Sequence, residues 1–412
     1  MRNNTPPQSP YRNLEEEIIE AEDGEVIYFD DEEQALAAGS DDEDADDAND
    51  AQYEEMNLED IEGMLGQRIP ERDDAKITFR EHSSAVFSCH LHPTENIAVT
   101  GGEDDKAFVW NAETGEVISK IEGHKDTVIS VAFSPDGNYL ATGDMAGEIQ
   151  VFKVAQNYKK VWEFSMGDMC WMKWHMAANV LLAGSEVGDI YVWRIPSGDC
   201  KILPGNGNRC ETAELANDGK KLFVGYGDGC VKLWDIKNTS ALVEVRPNEP
   251  ISHSECVSGV SCDPERNLYM SGSEDGKIML VSNSGPVAIL DPEAGPVEVV
   301  AFCPDTELRV AASGTLRGQI AIWDIAKQSI RATCEHSESD NGVTTLKWLP
   351  DQTLVCGTIL GNVIAFDGRS GTRKYELQGH GAEVYDMCYD RAKGLLLCAS
   401  EDSTAKIFQI NH

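Results

Sequence analysis

The run VTGGEDDKAFVWN, residues 99–111, places three acids beside two glycines and ahead of an apolar segment that ends in Trp. Glu103, Asp104 and Asp105 could hold a metal ion, a phosphate group or a cationic partner. A calcium loop needs alternating oxygen ligands, a closing Glu and flanking helices. A phosphate loop needs Gly, Lys and Ser or Thr at fixed spacing before a helix. Neither pattern occurs, so we expect no metal and no cofactor, and the acids point to a partner.

Catalytic motifs are also missing from the sequence. GxSxG and HExxH, which would indicate a nucleophilic serine or a zinc-bound water, do not occur. The twelve cysteines form no CxxC pair and no zinc-spaced cluster, and most lie in apolar runs, so we expect buried free thiols. We therefore expect a binding protein rather than an enzyme.

Eight copies of one unit fill most of the chain. Each copy ends in an apolar run that follows a Gly-containing turn, and corresponding residues of these runs lie 42, 41, 41, 47, 42, 43 and 42 residues apart. These residues are Trp110, Phe152, Trp193, Trp234, Val281, Trp323, Phe366 and Phe408. A period of this length is typical of repeat proteins whose units stack on one another.

Each unit is predicted to contain four short strands. In the second unit TVISVAF, the turn SPDG, NYLATG, the turn DMAG, EIQVFKV and KVWEFS follow one another. Alternating apolar residues favour strands, and Pro, Asp and Gly favour the turns between them. Because such units bury both faces only by stacking, and a ring protects the end units, we predict an all-β, eight-bladed β-propeller. A seven-bladed ring with an orphan repeat is the alternative.

The ends of the chain indicate how the ring closes. The last unit stops at KIFQINH, a third strand with no fourth after it. The run KITFR, residues 76–80, precedes the first unit and has nothing else to pair with. We therefore predict a propeller over residues 75–412, closed by strand 76–80.

Charge is distributed unevenly along the chain. The formal net charge is −38, and residues 14–62 contain 23 acids and no Lys or Arg. Such a segment cannot build a core, so we predict a disordered acidic arm over residues 1–72. Its apolar islands EEEIIE and EVIYFDD are either incidental or a docking motif for a partner or for the propeller.

Residues 75–412 are acidic as well, with 46 acids against 30 bases. This charge should repel nucleic acids and anionic membranes and attract basic proteins. No run of 18 apolar residues and no N-terminal apolar signal region occurs, so neither a membrane span nor secretion is indicated. We expect a monomeric cytoplasmic protein with a basic protein partner and no direct nucleic-acid binding; the nucleus and the membrane periphery are alternative locations.

Dipeptides at both ends of several units resemble those of WD-repeat propellers. Gly-His or a close variant begins some units, and Trp-Asp ends others, as in GHKDTV and KLWD. In that family a His, a Ser or Thr, an Asp and a Trp form a hydrogen-bonded tetrad within a blade. The resemblance implies a complete tetrad only in the first unit, from His82, Thr100, Asp104 and Trp110.

A more specific resemblance covers almost the whole chain. The acidic arm, AVTGGEDDKAFVW, GHKDTV with ATGDMAG, GDMCWMKWH with LLAG, and GHGAEV together resemble the angio-associated migratory cell protein family. The resemblance implies a non-enzymatic scaffold. Its fungal relatives act as dedicated chaperones of a basic ribosomal protein during large-subunit assembly, whereas animal members are linked to cell migration and angiogenesis. The resemblance therefore implies a ribosomal-protein chaperone, with an adaptor in migration-linked signalling as the alternative.

Three positions in each blade should point to the face that carries the loops between blades and between the second and third strands. They are the residue before the tetrad-aspartate position, and the residues on either side of the leading apolar residue of the first strand. Of these 24 positions eight are acidic and one is basic, which favours a site for a basic ligand. The predicted partner-binding acids are Glu103, Asp168, Glu186, Glu211, Glu274, Glu298, Glu383 and Glu401. Phe87, Trp171 and Tyr385 are predicted to add aromatic surface for Lys and Arg side chains. Solubility of exposed turns is the alternative explanation for the acids.

Overall fold

The computed structural model describes residues 68–334 and 341–410, and these residues form eight four-stranded antiparallel sheets. The first strand of each sheet contacts the first strands of its two neighbours, and the last sheet contacts the first, so the sheets form a closed ring. The predicted eight-bladed β-propeller is therefore confirmed, and the seven-bladed alternative is wrong. Except for residues 68–72, the predicted acidic arm lies outside the described residues.

Blades 1 to 4 follow one another along the chain, each from its inner to its outer strand. Blade 1 contains β2 (Val86–Leu91), β3 (Ile97–Gly102), β4 (Ala107–Asn111) and β5 (Val117–Ile121). Blade 2 contains β6 (Val128–Phe133), β7 (Tyr139–Asp144), β8 (Glu148–Lys153), a 3₁₀ turn (Val154–Gln156) and β9 (Lys159–Ser165). Blade 3 contains β10 (Met169–Trp174), β11 (Val180–Ser185), β12 (Ile190–Arg194) and β13 (Asp199–Leu203). Blade 4 contains β14 (Cys210–Leu215), β15 (Lys221–Tyr226), β16 (Val231–Asp235) and β17 (Ser240–Val245).

Blades 5 to 8 repeat this order, except that the last blade takes its outer strand from the start of the chain. Blade 5 contains β18 (Gly259–Cys262), β19 (Leu268–Gly272), β20 (Ile278–Ser282) and β21 (Gly285–Leu290). Blade 6 contains β22 (Val297–Phe302), β23 (Val310–Thr315), β24 (Ile320–Asp324) and β25 (Ser329–Thr333). Blade 7 contains β26 (Val343–Trp348), β27 (Thr353–Thr358), β28 (Val363–Asp367) and β29 (Arg373–Leu377). Blade 8 contains β30 (Val384–Asp390), β31 (Leu395–Ser400), β32 (Ala405–Gln409) and β1 (Ile77–Phe79).

Strand β1 completes blade 8 by pairing with β32. The pairing is antiparallel, with Ile77 opposite Ile407 and Phe79 opposite Ala405. Its side chains enter the apolar layer between blades 8 and 1, where Phe79 stacks on Trp110 with ring centroids 4.7 Å apart. The first and last described strands of the chain are thus held in one sheet.

Apolar side chains fill the spaces between neighbouring blades. The described residues form eight apolar clusters, and each cluster combines side chains of two adjacent blades. Because every blade buries both faces in this way, its middle strands are apolar almost throughout, as in β31, where all six residues are buried. None of the described helices is long and apolar enough to cross a membrane.

All twelve cysteines are free thiols, as the sequence predicts. Eight are buried and three are half-buried, whereas Cys200 on β13 is exposed.

Candidate protein-binding face

One backbone hydrogen bond recurs at the same edge of every blade and defines the upper face of the propeller. The donor is the N–H of a residue just after the second strand, and the acceptor is the carbonyl of a residue just before the first strand or its opening turn. In blade 1 the Glu103 N–H donates to the Ala85 carbonyl at 2.9 Å. The same bond runs from Met145 to Thr127, Glu186 to Asp168, Gly227 to Arg209, Glu274 to Cys256, Leu316 to Pro296, Ile359 to Gly342 and Glu401 to Glu383. Two of the three predicted positions in each blade therefore lie side by side.

The third position lies at a bulge in the inner strand. In seven blades the pairing of the first two strands skips one residue, as between Val86 and Ser88, which leaves Phe87 outside the ladder. A bulge redirects the extra side chain. The residues at this position are all half-buried: Phe87, Ile129, Cys170, Glu211, Ser258, Glu298, Thr344 and Tyr385. They surround the upper opening of the ring.

All eight predicted acids lie on this upper face. Five are exposed, namely Glu103, Asp168, Glu186, Glu274 and Glu401, and three are half-buried, namely Glu211, Glu298 and Glu383. They come from blades 1, 3, 4, 5, 6 and 8. The face is therefore acidic around most of its circumference.

The half-buried acids interact with acids on neighbouring blades. Burial raises the pKa of Glu298, and the charges of Glu274 and Glu383 raise it further. Burial likewise raises the pKa of Glu383, with a further contribution from Glu401. Because no cation among the described residues offsets these effects at either carboxylate, a bound cation would stabilise their charged forms.

Arg209 is the one base among the 24 positions, and it lies between two of the acids. Its Nε is 3.2 Å from Glu211 Oε2 and 3.5 Å from Glu186 Oε2. Burial raises the pKa of Glu211. Arg209 lowers it, but Glu186 and Glu274 raise it again, so the pKa of Glu211 remains above its ordinary value. One cation is thus insufficient to neutralise this part of the face.

Two of the three predicted aromatic residues meet at the opening. Phe87 and Tyr385, from the bulges of blades 1 and 8, stack with ring centroids 4.7 Å apart and planes at 6°. Burial raises the pKa of Tyr385 to about 12, helped by the carboxylates of Glu401, Glu383 and Glu103. The aromatic pair is therefore bordered by negative charge.

The third aromatic residue, Trp171, was predicted wrongly. Its side chain is 8% exposed and packs between blades 3 and 4. Its indole N–H donates to Cys210 Sγ at 3.3 Å. The bulge of β10 leaves Cys170 at the half-buried position, so the neighbouring tryptophan packs inward instead of lying on the face.

Apolar side chains separate several of the exposed acids, a feature that charge alone did not predict. At the position after the second strand, the side chains of Met145, Leu316 and Ile359 are 45%, 43% and 36% exposed. In blades 1 to 6 this position alternates between Glu and a residue without charge. The upper face thus offers carboxylates and apolar contacts side by side.

Asp104 has a structural role although it adjoins Glu103. His82 Nδ1 lies 2.9 Å from Asp104 Oδ1, and His82 Nε2 lies 2.9 Å from Thr100 Oγ1. The Ser83 N–H donates to the other carboxylate oxygen of Asp104. Burial opposes ionisation of Asp104, but these hydrogen bonds outweigh it and lower the pKa of the carboxyl group. The side chain therefore joins the loop before β2 to the turn after β3.

The predicted tetrad lacks its last hydrogen bond. Trp110 is fully buried, but its indole nitrogen has no hydrogen-bond partner among the described residues. Stacking on Phe79 holds the ring in place instead.

A further trio of this kind, in blade 2, was missed. His124 lies 3.1 Å from Asp144 and 2.8 Å from Thr142. Here the aspartate follows the threonine by two residues instead of four, at the end of β7. The run ATGD after a Gly-His pair was the available signal.

Removing the carboxylate of Asp104 should destabilise the propeller. We expect Asp104→Ala to lower the free energy of unfolding by about 1 to 3 kcal/mol, because His82 and the Ser83 N–H lose a buried acceptor. Since folding lowers the pKa of Asp104, its contribution is present at neutral pH and is lost as the pH falls through the folded-state value. Urea denaturation at several pH values should show this difference shrinking in acid.

Asp105→Asn is the matched control. Asp105 is exposed and has φ of +58°, a conformation that asparagine also adopts readily. Its stability should equal that of the unmodified protein. An equal loss in both variants would contradict the separate role of Asp104.

Comparison with known proteins places this architecture among WD repeats. The family model described as WD domain, G-beta repeat matches residues 74–111, 115–153, 200–235, 248–282 and 371–409. The human angio-associated migratory cell protein is 35% identical over 370 residues, which cover 85% of this chain and 83% of that protein. The ribosome assembly protein SQT1 of Saccharomyces cerevisiae is 22% identical over 374 residues, 81% of this chain and 86% of that protein.

Solved structures share the fold. The crystal structure of Chaetomium thermophilum Sqt1 bound to the N-terminus of the ribosomal protein L10 matches with a TM-score of 0.75 and 21% identity. The match covers 82% of this chain and 100% of that chain. Saccharomyces cerevisiae Sqt1 matches with a TM-score of 0.74 and 20% identity, with the same coverage of both chains.

Proposed function

The chain belongs to the angio-associated migratory cell protein family, and from that premise we propose that it is a non-catalytic chaperone of a basic ribosomal protein. It would hold this client until the client joins the large ribosomal subunit. The observation that carries the proposal is the ring of eight carboxylates on the upper face, with Arg209 as the only base at the same positions. A structural relative bound to the N-terminus of a ribosomal protein supports the choice of client.

The charges of the upper face suit such a client. Glu298 and Glu383 have raised pKa values because of burial and neighbouring acids, so the face contains repulsion that a cationic ligand would relieve. Lys or Arg side chains brought to these carboxylates would form charge-assisted hydrogen bonds. The binding energy then comes partly from charges that the folded protein already holds close together.

The apolar residues of the face refine the client's chemistry. At the position after the second strand, Met145 lies between two blades that carry glutamates, and Leu316 and Ile359 occupy two consecutive blades that are flanked by glutamates. A segment with apolar residues interspersed among Lys and Arg would contact both, whereas a uniformly basic segment would leave these side chains exposed. We therefore propose an amphipathic basic segment as the bound element.

Cellular context follows from this role. Ribosomal proteins are made in the cytoplasm, so we propose that the chaperone acts there. While the complex lasts, mass action favours the soluble, bound form of the client. The acids of residues 14–62 would add to the attraction of a basic client at long range.

Affinity purification of the full chain, followed by mass spectrometry, tests the proposal. At about 50 mM salt we expect one dominant basic ribosomal protein, and at about 300 mM salt we expect its recovery to fall at least tenfold, because salt screens exposed charges. Recovery should also fall as the pH is lowered, because protonation of Glu211, Glu298 and Glu383 removes the charges that hold the client. A client that is retained equally under all these conditions would contradict the proposal.

A signalling adaptor linked to cell migration is the second candidate. It is favoured by the 35% identity to a protein whose name refers to migratory cells. The same purification separates the two roles. An adaptor should retain several partners of neutral or mixed charge at high salt, with no ribosomal protein dominant among them.

A further inference from the structure

A groove on the opposite side of the ring has the reverse charge. This lower groove is a cavity of about 410 Å³ between blades 3 and 4, next to the turn after β14 and the turn after β16. Val180, Val192 and Ile236 provide apolar surface within it. Four cations also line it, namely Arg194, Lys201, Lys220 and Lys237, and all four are exposed.

The acid in the same turn as Lys220 has other partners. Asp218 Oδ1 accepts the backbone N–H of Lys220 at 2.8 Å, and its Oδ2 accepts the ammonium group of Lys221 at 2.5 Å. Both oxygens are therefore occupied by the turn itself. The side chain of Lys220 is left without a carboxylate from this turn.

The acids near the other cations also accept hydrogen bonds, although Asp199, the one acid that lines the groove, does so through a single oxygen. Asp235 accepts the N–H and the side-chain amide of Asn238 at 2.8 and 2.9 Å, and Asp199 accepts the hydroxyl of Ser197 at 2.8 Å. In blade 6, by contrast, the turn lysine Lys327 forms an ion pair with Asp324. Within residues 68–334 and 341–410, no ion pair of 4.0 Å or less involves any of the four groove cations.

The groove is held in shape by contacts between the two blades. The Lys201 ammonium group donates to the Lys237 carbonyl at 2.8 Å, which joins β13 to the turn after β16. His175 Nε2 lies 2.8 Å from the carbonyl of Gly219, and its Nδ1 accepts the N–H of Ala177. The cations are therefore presented on a preformed surface.

We propose that the lower groove binds an acidic peptide segment that carries an apolar side chain. The four cations attract carboxylates, and the aliphatic surface of the groove requires an apolar group to cover it. A nucleic acid suits the groove less well, because Val180, Val192 and Ile236 offer no aromatic surface on which bases could stack. This proposal does not depend on the chaperone role, since it concerns a different face and the opposite charge.

Fluorescence anisotropy with the full chain tests the charge requirement. The probe is a fluorescein-labelled peptide of glutamates around two central leucines. We expect saturable binding that weakens at least tenfold in Lys220→Glu/Lys237→Glu, which reverses two groove cations and keeps the Lys201 contact that joins the blades. The matched control is Lys159→Glu/Arg331→Glu, which makes the same charge change at exposed residues on the outer strands of blades 2 and 6. The control should bind like the unmodified protein.

Cys200 reports where the probe binds. It lines the groove and is the exposed thiol among the twelve. The peptide should slow alkylation of Cys200 by iodoacetamide, as measured by peptide mass spectrometry, and should do so less in the Lys220→Glu/Lys237→Glu variant.

Four results would overturn the proposal, and the first three concern the acidic peptide itself. They are absence of saturable binding to the unmodified protein, equal losses in both double variants, and unchanged alkylation of Cys200 at saturating peptide. Replacing the two leucines with serines should weaken binding. Tighter binding of an oligouridylate than of the acidic peptide would also reject it, in favour of a phosphate-binding groove.

Discussion

Phe79→Ala should lower the free energy of unfolding of the propeller by about 3 to 5 kcal/mol, the usual range for a buried phenylalanine. Phe79 is 1% exposed. Its ring stacks on Trp110 and meets the edge of Phe108 at a centroid distance of 5.7 Å. Because β1 is the outer strand of blade 8, this side chain also fastens the start of the described chain to its end. The substitution thus opens a cavity where the ring closes.

Urea denaturation followed by tryptophan fluorescence measures this loss. Thr78→Ala is the matched control, because Thr78 lies on the same strand, opposite Lys406, and outside the apolar cluster that contains Phe79. The control should unfold close to the unmodified protein. If both variants unfolded at the same urea concentration, β1 would not contribute to closure in solution.

The fold was predictable because the repeat length and the pattern of strands and turns both indicated an eight-bladed propeller. The repeat of about 42 residues set the number of blades, and alternating apolar residues with Pro, Asp and Gly turns indicated four strands in each. A strand pairs through its backbone, so a short run such as KITFR could be assigned to the last blade because the third strand of that blade had an unpaired edge. The structure pairs Ile77–Phe79 of that run with β32.

The candidate site was less predictable where one residue of backbone geometry decides the direction of a side chain. The bulge between Met169 and Trp171 places Cys170 at the opening and the tryptophan in the core. The residue types at this point do not predict a bulge. The position of Asp144 depends in the same way on where β7 ends. Predictions for acids at repeated turn positions avoid this problem, since the same backbone bond fixes those turns in all eight blades.

The lower groove shows a different limit of sequence reasoning. Its cations come from two strands of blade 3 and two turns of blade 4. The first of them, Arg194, lies 43 residues before the last, Lys237, in the sequence. Only stacking of the blades brings them together. Whether these cations are neutralised depends on hydrogen bonds within the turns, as at Asp218 and Asp235, which charge counting along the chain does not reveal.

Reversing Glu103, Glu186 and Glu274 to lysine should weaken binding of a basic ligand about a hundredfold or more, which equals about 2.8 kcal/mol. These three glutamates are exposed, and each follows the second strand of its blade. Glu274 also acts on Glu211 and Glu298, so its reversal changes the field at the half-buried acids. The expected loss therefore exceeds that of isolated surface charges.

The fold should survive this change, because none of the three side chains is buried. Removing Glu186 and Glu274 lessens the repulsion that raises the pKa values of Glu211 and Glu298, and this gain offsets the loss of the exposed ion pair between Glu186 and Arg209, so the melting temperature should change little. Anisotropy with a labelled peptide of alternating lysine and leucine measures the binding, and calorimetry measures the melting.

A matched variant separates local from overall charge. Glu116→Lys/Glu265→Lys/Glu307→Lys makes the same change at exposed glutamates in turns on the lower side of blades 1, 5 and 6. If net charge alone attracted the ligand, both triple variants would lose affinity equally, and the upper face would have no special role. We expect the lower variant to lose less than threefold, because a strand of five or six residues, about 16 to 20 Å long, separates the two faces and exceeds the screening length of about 8 Å at physiological salt. Strong binding that persisted after reversal of Glu103, Glu186 and Glu274 would place the site elsewhere and remove the main support for a basic client.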